Sequence, residues 1–125
     1  MAYRSMAVTE AEVQEAVNRH EARNAELLRL IESKGANASD RYQTEHHFWA
    51  YTQKDADGLA AELSKRGYLL LALAPGQDKD GTKYWNIEAS FDRTLAEAAS
   101  REVTEELVRL AGNFGADYDG WGVSI

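Results

Sequence analysis

Tyr42-Gln43-Thr44-Glu45-His46-His47-Phe48-Trp49-Ala50-Tyr51 is the stretch on which the reading of the chain turns. It is rich in aromatic and β-favouring side chains and holds no glycine or proline, which predicts a strand over 42–51. A strand has a side-chain period of two. Thr44, His46, Phe48 and Ala50 therefore share one face, and Glu45, His47, Trp49 and Tyr51 share the other. The Phe48 face suits a core, where His46 would be buried, hydrogen-bonded and neutral. His47, on the opposite face, is the histidine placed to meet a partner.

Downstream, Thr52 with Asp55 has the form of a helix cap, and Ala56, Leu59, Ala60 and Leu63 repeat at the spacing of one helix face. Gly67 ends that helix, and Gly58 inside it weakens it slightly. The apolar run 68–74 has strand length. Pro75-Gly76 and Asp80-Gly81 mark a loop. Over 83–90, Trp85, Ile87 and Ala89 alternate with Tyr84, Asn86 and Glu88, so the two runs form a hairpin. A helix over 93–113 carries the stripe Leu95, Ala99, Val103, Leu107 and Leu110. After a turn at Gly115, a last strand over 117–125 puts Trp121, Val123 and Ile125 on one face.

Upstream, Thr9 and Glu12 form a capping-box pattern, which starts a helix over 10–33. Val13, Ala16, Val17, Leu27, Leu28, Leu30 and Ile31 are its apolar positions. The polar stretch 18–24 predicts a middle that is solvated or bent away, and Lys34-Gly35 is its stop.

The core order is thus βαββαβ. This predicts an α+β, ferredoxin-like domain: a four-stranded antiparallel sheet of order 4-1-3-2 with both crossover helices on one face. The whole chain, 1–125, is expected to be one domain, with the N-terminal helix (10–33) added to a core of about 42–125. The second sheet face stays open unless that helix or a partner covers it.

Composition narrows the function. The 125 residues include no cysteine, which removes disulfides, thiolate metal sites and thiol nucleophiles. Residues 1–9 lack the apolar run of a signal peptide, and no stretch approaches the ~18 apolar residues of a membrane span. A cytoplasmic protein with no membrane association is expected. The net charge of −7, with basic residues scattered among acidic ones, argues against direct nucleic-acid binding and suits a basic protein partner.

Two segments carry candidate chemistry. In Glu45-His46-His47 the two histidines point to opposite faces, so they cannot share one ion. Only Glu45 and His47 face the same way, too few donors for a metal site, and no cofactor is expected. In Tyr118-Asp119-Gly120-Trp121-Gly122, Trp121 reads as a core aromatic and Asp119 as a turn or bulge residue, or a contact. If Phe48 and Trp121 both face the core, the register puts Trp49 near Gly120 and His47 near Gly122. Trp49, Tyr51, Tyr84 and Tyr118 would then share the open face. Such aromatics suit protein interfaces, and they resemble single-stranded RNA platforms, but this face offers Glu45 and Glu88 where those platforms carry basic residues. They would equally pack under the N-terminal helix. No phosphate loop or nucleophile elbow is present, and no residue reads as catalytic.

These segments resemble the regulator of ribonuclease E activity B (RraB-like) family. Thr44-Glu45-His46-His47-Phe48 is similar to its Glu-His-His-apolar strand, Lys65-Arg66-Gly67-Tyr68 to its helix-ending Gly-Tyr, and 111–121, closing in Tyr118-Asp119-Gly120-Trp121-Gly122, to its Tyr-Asp-Gly-Trp signature. The three blocks keep order and spacing over about 27–125. The resemblance implies a ferredoxin-like fold and a non-catalytic protein that binds ribonuclease E and restrains RNA processing and decay. Family members continue into an acidic tail where this sequence reaches Ile125, and a contribution of that tail to binding would weaken or redirect this chain's own.

The expectation is a non-catalytic, protein-binding regulator of ribonuclease E or another RNA-decay enzyme. Its partner-binding candidates are Glu45, His46, His47, Trp49, Tyr84, Tyr118, Asp119, Gly120 and Trp121. A small-molecule or metal-binding domain using Glu45 and His47 is the alternative, and an RNA-binding module ranks behind it.

Overall fold

The computed structural model describes residues 9–124; residues 1–8 and Ile125, the end of the predicted last strand, lie outside the described residues. The elements run α1 (Glu10–Ser33), β1 (Arg41–Ala50), α2 (Gln53–Lys65), β2 (Leu69–Gln77), β3 (Lys83–Thr94), α3 (Leu95–Ala99), α4 (Arg101–Asn113) and β4 (Asp117–Gly122). The strands form one antiparallel sheet in the order β2-β3-β1-β4, the predicted order read from the other edge. The fold is the expected α+β, ferredoxin-like one with an added N-terminal helix.

Local chemistry accounts for the helix starts. The Thr9 hydroxyl accepts from Glu12 N–H while the Glu12 carboxylate accepts from Thr9 N–H, the reciprocal capping box. Thr52 caps α2 by accepting from Asp55 N–H. The helix expected over 93–113 is two helices. Strand β3 runs on to Thr94, which caps α3, and Ser100, in extended conformation, caps α4 by accepting from Val103 N–H. Ser100, a cap-forming residue inside this segment, breaks a run that periodicity alone reads as continuous.

Pro75-Gly76, expected in a loop, lies in β2, and the connection narrows to 78–82. Proline is tolerated there because β2 is an edge strand. Gly76 is required by its neighbour: a Cβ at this position would sit 2.5 Å from the Tyr84 ring. The edge is apolar and exposed, with Leu69 at 63 % and Leu71 at 48 % accessibility.

The core lies between sheet and helices. Phe48, Ile87 and Ala89 of the sheet meet Leu59 and Leu63 of α2, Leu107 and Leu110 of α4, and Val13 and Val17 of α1. A second cluster joins Ile31, Leu95, Ala98 and Trp121. Helix α1 therefore packs on the same side as α2 and α4, against α3 and α4. Its middle, expected to be solvated or bent away, is exposed at Asn18, Arg19, Glu21, Ala22 and Arg23 but not throughout. His20 and Asn24 are buried, because His20 Nε2 bonds the Tyr118 carbonyl at 3.0 Å and Asn24 bonds Thr104 and Trp121. Buried polar groups are stable when their hydrogen bonds are made. Arg101 and Arg109 tie the outer side of α4 to Glu21 and Glu10 of α1.

Candidate functional site

With α1 on the helical side, no helix of the described residues covers the other sheet face. Alternation along β1 puts Glu45, His47 and Trp49 there, and alternation along β3 adds Tyr84 and Glu88. All five are half-buried.

His47 stands directly opposite Glu88 in the β1–β3 ladder, and its Nδ1 lies 3.0 Å from Glu88 Oε1. Glu45, two residues before His47, accepts from the Ser124 hydroxyl at 3.2 Å. One ligand atom from each of Glu45, His47 and Glu88 lies within 4.8 Å of the others. At the other end of the face, Trp49 and Tyr84 meet edge to face with centroids 4.8 Å apart. Tyr84 rests on Gly76, and a shallow hollow of about 250 Å³ opens between Trp49, Tyr51, Asp78 and Tyr84.

The remaining candidates divide differently from the expectation. Tyr118, expected on the open face, is buried on the core side, as are His46 and Trp121. The cause is a bulge. Gly120 pairs with His47 and Tyr118 with Phe48, leaving Asp119 unpaired between them, with Gly120 at φ +113°. The extra residue turns both Tyr118 and Trp121 inward although they are three apart. It also moves the register: His47 faces Gly120, Glu45 faces Gly122, and Trp49 faces Asp117, in place of the expected Trp49–Gly120 and His47–Gly122 pairs. Asp119 is exposed, and its carbonyl accepts weakly from Arg23 at 3.4 Å.

Beneath the open face runs a buried hydrogen-bond chain of fixed direction. The Thr44 hydroxyl donates its only hydrogen to the Phe91 carbonyl, at 2.9 Å, so its contact with His46 Nε2 at 3.0 Å is donated by the imidazole. His46 Nδ1 is then unprotonated and accepts from the Tyr118 hydroxyl at 2.8 Å. Burial, reinforced by the Arg93 charge and by His47, pushes the His46 pKa down to about 3. Burial likewise lowers His20 and raises the Tyr118 hydroxyl. His46 is thus the buried, neutral histidine that its strand position predicts, with no surface to offer a partner.

Sequence reasoning placed Glu88 on this face but did not pair it with His47, because alternation gives the face and not the register. It missed the buried roles of His20 and Asn24 altogether. No signal in α1 marks them, since their partners lie far along the chain.

The sequence is similar to those of known proteins. The profile of a family described as Regulator of ribonuclease activity B matches residues 21–123. A Regulator of ribonuclease activity B from Psychromonas ingrahamii is 31 % identical over 97 residues, covering 78 % of this chain and 80 % of that protein. One from Photobacterium profundum is 29 % identical over 113 residues, covering 86 % and 82 %. The matched region runs from the middle of α1 through the bulged last strand, and the chain belongs to the Regulator of ribonuclease activity B family.

Proposed function

We propose that this chain is a non-catalytic cytoplasmic regulator that binds a ribonuclease E-type RNA-decay enzyme through the uncovered face of its sheet. The observation that carries the reading is the Trp49–Tyr84 pair beside His47 on a face that no described helix covers. Aromatic side chains of this kind supply most of the affinity at protein interfaces, where a few residues dominate. The net charge of −7 favours a basic or flexible segment of the partner and makes the encounter sensitive to salt. The family name of its relatives supports ribonuclease as the class of target.

The test is titration of ribonuclease E, whole and in fragments, with the wild-type protein and with His47→Ala and Trp49→Ala, beside an RNA oligonucleotide. Binding to a ribonuclease fragment that both substitutions weaken, without binding to RNA, is expected. Tight RNA binding with no affinity for any fragment would overturn the reading in favour of an RNA platform.

A further inference from the structure

We propose that Glu45, His47 and Glu88 form a binding site for a divalent transition-metal ion of the zinc class. The donor set is one imidazole and two carboxylates, which suits such an ion better than the oxygen-only shells of magnesium or calcium. Alternation along β1 brings together Glu45 and His47. The ladder supplies the third donor by setting Glu88 directly across from His47.

Geometry favours one ion at this place. The three ligand atoms lie within 4.8 Å of one another. Bonds of about 2.0–2.1 Å to a tetrahedral ion set its ligands roughly 3.3 Å apart. The 3.0 Å between His47 Nδ1 and Glu88 Oε1 is close to that edge, so one ion can bind both atoms with little movement of either strand. All three side chains are half-buried and rooted in adjacent paired strands, which limits the entropy lost on binding.

Charge gives a separate reason. Among the described residues, neither Glu45 nor Glu88 is paired with a lysine or arginine; Glu88 meets the His47 imidazole and Glu45 the Ser124 hydroxyl. Two half-buried carboxylates converging on one imidazole leave a negative site that a dication would neutralise. The flank has room for further ligands. Gly122 stands opposite Glu45, and a Cβ built there meets nothing within 4 Å. Water or a partner's side chain would fill the remaining position. His20 and His46 are buried and bonded within the fold, which leaves His47 as the histidine a metal can reach.

This inference does not depend on the ribonuclease reading, and its test uses metal alone. Tag-free protein stripped with a chelator is titrated calorimetrically with zinc chloride, with magnesium chloride in parallel, and the Co²⁺ form is examined by visible absorption. One zinc per chain, no response to magnesium and the intense visible bands of low-coordinate cobalt are expected. His47→Ala and Glu88→Gln should each weaken zinc at least ~10-fold, the scale on which removing supporting groups at metal sites acts. Glu102→Gln, an exposed acid on α4, serves as the control and should leave the affinity unchanged. Circular dichroism verifies that each variant is folded. Absence of zinc binding, or equal affinity in His47→Ala and wild type, overturns the proposal.

Discussion

The Tyr118 hydroxyl donates to His46 Nδ1 across 2.8 Å, and with that bond the core holds one tautomer of a fully buried histidine. Removing the donor leaves a buried acceptor without a partner. Tyr118→Phe should therefore cost about 1–3 kcal/mol, although it deletes a single oxygen. Urea denaturation measures it. A midpoint equal to wild type would show that the hydroxyl contributes nothing to the fold.

The same histidine sets the acid limit of the protein. The His46 pKa is about 3 in the folded chain against an ordinary 6.5, so between these values the unfolded state binds the extra proton. Stability then rises with pH across this window. It is fully present above pH 6.5 and is lost as pH falls toward 3, at up to about 1.4 kcal/mol per pH unit. His20, also lowered by burial, acts in the same direction. Denaturation midpoints of metal-free protein at pH 7, 6, 5 and 4 should fall in that order. A profile flat from pH 7 to pH 5 contradicts the argument.

Core truncation should be severe on both sides of the fold. Leu107 sits in the cluster under the sheet, and Trp121 sits in the second cluster and donates its indole N–H to Asn24. Leu107→Ala and Trp121→Ala should each cost about 2–5 kcal/mol through lost contacts and the cavity left behind. Chemical denaturation gives both values. Losses below ~0.5 kcal/mol at both sites would mean that neither side chain is packed as described.

Metal should not be needed for folding. The core closes without the Glu45–His47–Glu88 cluster, which lies on the other side of the sheet. Chelator treatment should leave the circular dichroism spectrum unchanged, and added zinc should raise the melting temperature by mass action alone. Unfolding on chelation would give the ion a structural role that this arrangement does not predict.

On the open face, His47→Ala and Trp49→Ala should each weaken ribonuclease binding by about 1–2 kcal/mol with the fold intact, read from the same titrations. Gly76→Ala is the complementary change. Its new methyl would collide with the Tyr84 ring, so Tyr84 must move and the Trp49–Tyr84 contact with it. Near-ultraviolet circular dichroism should register the displacement. An unchanged aromatic spectrum would show that Gly76 has space to spare.

Strand β1 was fully legible because its two faces differ in chemistry at every position and nothing interrupts its alternation. The same rule misplaced Tyr118, since one unpaired residue at Asp119 reverses the parity of everything before it. The polar middle of α1 misled for another reason. His20 and Asn24 look like solvated residues to any local count, and their burial depends on groups nearly a hundred positions away, at Tyr118 and Trp121. The site was legible as a face and not as a constellation: Glu45, His47 and Trp49 follow from one strand, while the His47–Glu88 pairing needs the register of two.

The unpaired residue at Asp119 also decides which changes of chain length this protein can survive. Losing one codon from the 78–82 connection shortens an exposed turn, which the hairpin can re-form around. Losing the codon for Asp119 restores strict alternation in β4. Tyr118 and Trp121 would then stand two apart on the same, core-facing side, with Phe48–Tyr118, His47–Gly120 and His46–Trp121 paired in one regular register. Substitution at Asp119 should be mild as well, because its side chain is exposed. At this position the lineage is free both to vary the letter and to lose it.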